Sequence, residues 1–190
     1  SFQLANHTGG GAALGTLNVT GGTVTANADI IDAGGTSTTT ITLDGGTLDM
    51  AGHAIGGATP IDVLHFRGGT LQNVAEINGG ATGLTKTTGG TLILDGTNAY
   101  TGASSVDGGT LLVDGDNSAA TGAVTVAAGT TLGGTGVIGG AVTVPTGGTI
   151  TGGTLGTIGS PEAGDIGTLT VASLSLSGGT FQADLVDDTA

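Results

Sequence analysis

The 190-residue chain has no cysteine, no tryptophan, one tyrosine, three phenylalanines and three prolines. Without cysteine there is no disulfide framework and no thiolate metal site. Bases are almost as rare: Arg67 and Lys86 stand against fifteen acids, for a net charge of −13. A phosphate backbone needs clustered Lys and Arg, so nucleic acid is not an expected partner. An anionic membrane surface is disfavoured for the same reason. No apolar run approaches the roughly 18 residues of a membrane-crossing helix, so this segment is not expected to insert into a membrane. The chain starts at Ser1 without Met and shows no signal peptide. It is therefore expected to be a segment of something longer.

Glycine and threonine dominate what is present, with 42 residues of the first. The glycines do not fall at every third position, which excludes collagen. Disordered chains are poor in β-branched and large aliphatic residues, whereas 37% of this chain is hydrophobic and Val, Ile, Leu and Thr are abundant. That combination predicts an all-β protein with many short strands and tight turns.

One phrase recurs. Gly90-Thr91-Leu92-Ile93-Leu94-Asp95-Gly96 is answered by Gly109-Thr110-Leu111-Leu112-Val113-Asp114-Gly115. Looser copies begin at Gly22, Gly46, Gly69, Gly129 and Gly148. Including the two full copies, successive first glycines lie 24, 23, 21, 19, 20 and 19 residues apart. A period near twenty matches one turn of a parallel β-helix. Within each unit the period is two, as in Leu17/Val19, Ile41/Leu43, Leu92/Leu94, Leu111/Val113, Val124/Val126, Val142/Val144, Leu169/Val171 and Leu174/Leu176. Such alternation places one face in a core and the other in water. Stacked units then give columns of aliphatic side chains inside and ladders of Thr outside. Glycines and Asp-Gly pairs belong at the corners.

The stretch 83–115 resembles the autotransporter-associated β-strand repeat, also called the passenger-associated transport repeat. The matching residues are Gly83-Leu84-Thr85-Lys86, Gly90-Thr91-Leu92 with Leu94, Gly96, Asn98, Tyr100-Thr101-Gly102, Val106 and Gly109-Thr110-Leu111. The resemblance implies a parallel β-helix exposed outside a bacterial cell, serving as a stalk or adhesin segment. Combined with the periodicity, the expectation is a right-handed parallel β-helix (solenoid) of about eight or nine coils of roughly 20 residues. One such unit spans residues 1–190. In it, 1–13 is an incomplete first coil, 83–115 the best-matching repeat, and 156–167 a loop around Pro161.

No catalytic residues are assigned. Hydrolysis of glycosides needs two positioned carboxylates. Asp187 and Asp188 are adjacent, so a strand would point them to opposite faces. Arg67 and His65 share a strand face and are the only hint of a site near a cation. Calcium is the one candidate cofactor, with Asp95, Asp114 and Asp116 as candidate ligands should adjacent corners stack. Turn capping is the plainer role for these acids, and the family residues Lys86, Asn98 and Tyr100 are assigned to packing. The expected function is a structural extracellular rod, used as adhesin stalk, spacer or matrix component of a bacterial surface protein. The alternative is a carbohydrate-binding or carbohydrate-cleaving β-helix. Expected partners are neighbouring β-helix segments of the same chain, end-to-end copies, and surface glycans.

Overall fold

The computed structural model describes residues 2–5, 12–34, 36–80, 82–153 and 167–182. The expected loop at 156–167 and the Asp187-Asp188 pair lie outside these residues, apart from Gly167.

The described chain is all-β. Fifteen of its strands join one curled sheet, and every strand-to-strand pairing is parallel. The only helical element among the described residues is a single 3-10 turn at Asn78–Gly80. Parallel pairing between consecutive strands requires the chain to travel round and return in the same direction. The registers record that travel. Leu17 pairs with Ile41, Ile41 with Leu64, Phe66 with Lys86, Lys86 with Val106 and Val106 with Val126. These partners lie 24, 23, 20, 20 and 20 residues apart. This arrangement is consistent with a parallel β-helix.

Three rows of stacked strands result. The first row includes Leu14–Val19, the start of Thr38–Asp49, Thr85–Lys86, Ser104–Val106 and Val124–Val126. The second includes Thr23–Thr25, Thr91–Asp95, Thr110–Val113, Thr131–Gly133, Thr149–Thr151 and Thr180–Gln182. The third begins with Phe2–Gln3 on Ile30–Ile31 and continues through Ile55 and Ile77. Phe2–Gln3 thus forms a third-row strand ahead of the first described strands of the other two rows.

Alternation along each strand sends every second side chain inward. In the second row Leu92, Leu111, Leu132, Ile150 and Phe181 stack in one column, and Val24, Leu48, Leu71, Leu94 and Val113 in another. Leu92, Leu94, Leu111, Val113, Val124, Val126, Val142 and Val144 are all buried, as the alternation predicts. Leu169 and Val171 are only partly buried. Leu174 and Leu176, an alternating pair in the sequence, remain 39% and 44% exposed. Their strand, Thr170–Ser177, pairs with Val137–Pro145 on one side, and no described strand stacks on the other. On the outside, Thr91, Thr110, Thr131, Thr149 and Thr180 form one threonine ladder in register.

Candidate functional site

Three polar constellations stand out against this aliphatic interior. The first is Lys86, which occupies an inward position in the column Val19, Leu43, Phe66, Lys86, Val106, Val126. The side chain is fully buried. Its stem packs among the aliphatic neighbours, and Nζ donates to the carbonyl oxygens of Thr88 and Gly108, the latter at 3.1 Å. These carbonyls belong to two successive corners between the first and second rows. The ammonium therefore ties one corner to the next. Burial pushes its pKa below the ordinary value of 10.5, and the Asp44 carboxylate opposes that shift in part. Packing was the expected role, but the fully inward position was not. The signal lay in the repeat itself: Leu84-Thr85-Lys86 aligns with Ser104-Ser105-Val106, whose valine points inward.

The sign of the linkage follows from the direction of the shift. Between the lowered folded pKa and 10.5, the unfolded chain holds a proton that the folded chain has released. Lys86 therefore makes stability rise with pH through that window. Tyr100 acts oppositely. Burial pushes its hydroxyl up to about 12 against a partial offset from Ser104, so stability falls as pH climbs from 10.0 towards that value. The Lys86→Met variant should keep the Tyr100 loss and lose the Lys86 gain. At neutral pH it should lie within about 1 kcal/mol of the native chain or above it, since a matched apolar side chain replaces a buried charge. Urea midpoints of both chains from pH 8 to 11 check this. An unchanged pH slope in the variant would place the titration elsewhere.

The second constellation lines the corner that leaves the second row. Asn98 is fully buried. Its Oδ1 accepts from the Val74 N–H at 3.0 Å, and its Nδ2 donates to Asp95 O at 3.0 Å and to Asn117 Oδ1 at 2.8 Å. Below it, Asn73 donates to Asp49 Oδ1 at 2.9 Å and accepts from the Thr97 N–H at 3.2 Å. The Asn73 bond is the main reason the Asp49 carboxyl lies below its usual range. These amides bind successive corners together across the stack.

The calcium candidates sit on the same corner. Adjacent corners do stack here: Asp114 N–H donates to Leu94 O at 2.9 Å, and Asp116 N–H to Gly96 O at 2.8 Å. Each carboxylate, however, is taken up by a backbone amide, within its own turn for Asp95 and Asp116 and on the next corner for Asp114. Asp95 Oδ1 accepts from Gly96 N–H at 2.7 Å, Asp114 Oδ1 from Thr135 N–H at 3.1 Å, and Asp116 Oδ1 from Ser118 N–H at 2.9 Å. The Ser118 hydroxyl and N–H hold the Asp116 carboxyl below its ordinary range. Among the described residues no three His, Asp or Glu side chains gather as metal ligands would.

The third constellation was not anticipated. Asp32, 5% exposed, accepts from Gly34 N–H at 2.9 Å and Ser37 Oγ at 2.7 Å. Above it, buried Thr39 donates its N–H to Asp62 Oδ2 at 2.7 Å, and its hydroxyl accepts from the Asp62 N–H at 3.2 Å. Every carboxylate bond here is to a backbone amide or a hydroxyl; those of Asp32 to Gly34 and Ser37 are turn chemistry, whereas that of Asp62 reaches Thr39, 23 residues away.

His65 and Arg67 keep outward positions on Val63–Gln72, on either side of buried Phe66. Arg67 faces Asp44 at 3.8 Å, and His53 faces Asp29 at 3.5 Å, with all four side chains substantially exposed. Exposed pairs of this kind contribute little. Two hollows open at the ends of the stack. One, of about 390 Å³, is lined by residues including Phe2, Leu17, Val24 and Ile30. The other, of about 200 Å³, is lined by residues including Ile150, Leu169, Leu174 and Phe181. Neither lining includes a titratable side chain. Among the described residues no helix is long and apolar enough to cross a membrane. No protein-family model, curated protein or solved structure matches this chain.

Proposed function

We propose that this chain is a structural rod segment of a large extracellular bacterial protein, in which it acts as stalk, spacer or matrix component. Its architecture is a right-handed parallel β-helix of eight or nine coils, mostly near 20 residues each. The family resemblance at 83–115 supports the extracellular setting. The observation that carries the reading is the stacking of one residue per circuit, as in Leu92, Leu111, Leu132, Ile150 and Phe181. Each further circuit lengthens such an object along one axis by roughly 4.8 Å, so eight give roughly 40 Å.

The polar groups fit the same role. Buried amides and the Lys86 ammonium bind corner to corner, and the carboxylates hold backbone amides within and between corners. Neighbouring coils of a longer chain, or end-to-end copies, are the partners that suit the apolar ends. Surface glycans would meet the outer ladders. Antibodies raised against the chain should label intact source cells. Labelling that appears only after lysis overturns the extracellular assignment. Small-angle scattering should return an elongated particle, and a spherical one would overturn the rod.

A further inference from the structure

Asn78 and Gly79 form the only Asn-Gly step in the chain. Asn78 has a left-handed backbone, with φ of 48°, and Gly79 follows at 72°. The Asn78 side chain is fastened at both ends to one residue. Its Oδ1 accepts from Ile61 N–H at 2.8 Å, and its Nδ2 donates to Ile61 O at 3.0 Å. Ile61 is a core residue, 2% exposed. On the other side lies Gly56, where a Cβ would stand 2.1 Å from Asn78 Oδ1. The amide is thus clamped, and it latches the third-row corner to the segment that enters Val63–Gln72, the preceding first-row strand.

We propose that Asn78 is a site of self-modification, protected while this latch is closed and committed once it opens. Gly79 has no side chain to shield its backbone nitrogen. When the Asn78 side chain leaves Ile61, that nitrogen loses its proton to solvent and attacks Cγ. The Cγ–Nδ2 bond breaks, ammonia departs, and a five-membered imide closes. Water then opens the ring at either carbonyl, giving aspartate or isoaspartate. No oxidant or reductant takes part. In the closed latch both Cγ substituents are held by Ile61, so Cγ cannot swing onto the Gly79 nitrogen. The product cannot restore the latch. A carboxylate has no N–H to donate to Ile61 O and repels it. Isoaspartate also adds a methylene to the backbone at a tight corner. The device runs in one direction and needs only water.

Trypsin supplies the assay, because cleavage after Arg67 and Lys86, the only bases, releases residues 68–86 with Asn78 inside. The chain is held at mildly alkaline pH in buffer and, separately, in guanidinium. Conversion at residue 78 is followed by the mass of that peptide and by an isoaspartate assay. Conversion should be on the order of tenfold or more slower in the folded chain, because it requires local opening. The Asn78→Asp chain should melt below the native one. Equal rates in the two conditions, no conversion at residue 78 in guanidinium, or an unchanged melting temperature for Asn78→Asp each overturns the proposal. Should Asn78→Asp fail to fold, the time course on the native chain still decides.

Discussion

Replacing Leu111 with aspartate should cost at least about 4 kcal/mol of folding stability, most of what a domain of this size has to lose. Leu111 is 2% exposed and lies between Leu92 and Leu132 in one column. Truncation alone, as in Leu111→Ala, should cost about 2–5 kcal/mol through lost burial and an unfilled cavity. The carboxylate adds the cost of a charge in apolar surroundings. Nothing nearby offsets it. Of the two cations in the chain, Lys86 is committed to the Thr88 and Gly108 carbonyls and Arg67 faces Asp44. Urea denaturation of the three chains separates the contributions. The aspartate variant should fall clearly below the alanine variant and recover part of the difference at acid pH, where the carboxyl is neutral. If it is as stable as the native chain, Leu111 does not point inward.

That test is available because the inward set is legible in the amino-acid sequence alone. A period of two leaves only two choices of face for a strand, and a slip by one residue reverses both. Leu92, Leu94, Leu111 and Val113 therefore announced themselves, and the glycine phrases announced the spacing of the paired strands. What alternation does not report is where a column stops. Leu174 and Leu176 have the right parity and are still exposed, because burial of an inward residue requires a neighbour on both sides along the stack and, among the described residues, their strand has one on a single side.

Polar residues were harder to place for a different reason. Charge normally marks the outside, but a lysine can bury its four-carbon stem and bring its ammonium to a corner carbonyl. Asn98 is similar. Its sequence position suggested packing, whereas its burial depends on Asn117 arriving 19 residues later with a free amide oxygen. The Asp32, Thr39 and Asp62 cluster is assembled from residues up to 30 positions apart in the chain, through bonds spanning 7 and 23 residues. No local pattern encodes such a meeting. The sequence also does not show which way the corner carboxylates turn. The corners carrying Asp95, Asp114 and Asp116 do stack, but each carboxylate turns to a backbone amide.

The abundance of glycine itself has two explanations, and a pair of substitutions separates them. Glycines can be present because turns tolerate them, or because successive circuits approach too closely for any side chain. Gly83, Gly102, Gly122 and Gly140 point to the second. A Cβ on Gly122 would lie 2.0 Å from Gly102 O and 2.4 Å from its carbonyl carbon, and one on Gly140 would lie 1.9 Å from Gly122 O. The obstructing atoms are backbone in adjacent circuits, and the spacing of those circuits is set by parallel hydrogen bonding along the stack. They cannot rotate away as a side-chain tip would. Gly122→Ala should therefore cost about 3 kcal/mol or more, at or beyond the upper end for overpacking. Gly89 is the control, since a Cβ there meets nothing within 4 Å. Gly89→Ala should change stability by less than about 1 kcal/mol and can raise it by restricting the unfolded chain. Thermal or urea melts of the two variants decide. If both are mild, the glycines serve turn formation and the circuits have slack. If Gly122→Ala alone collapses, the backbone-to-backbone contact between circuits is part of what holds the stack, and its glycines are as constrained as the leucines of the core.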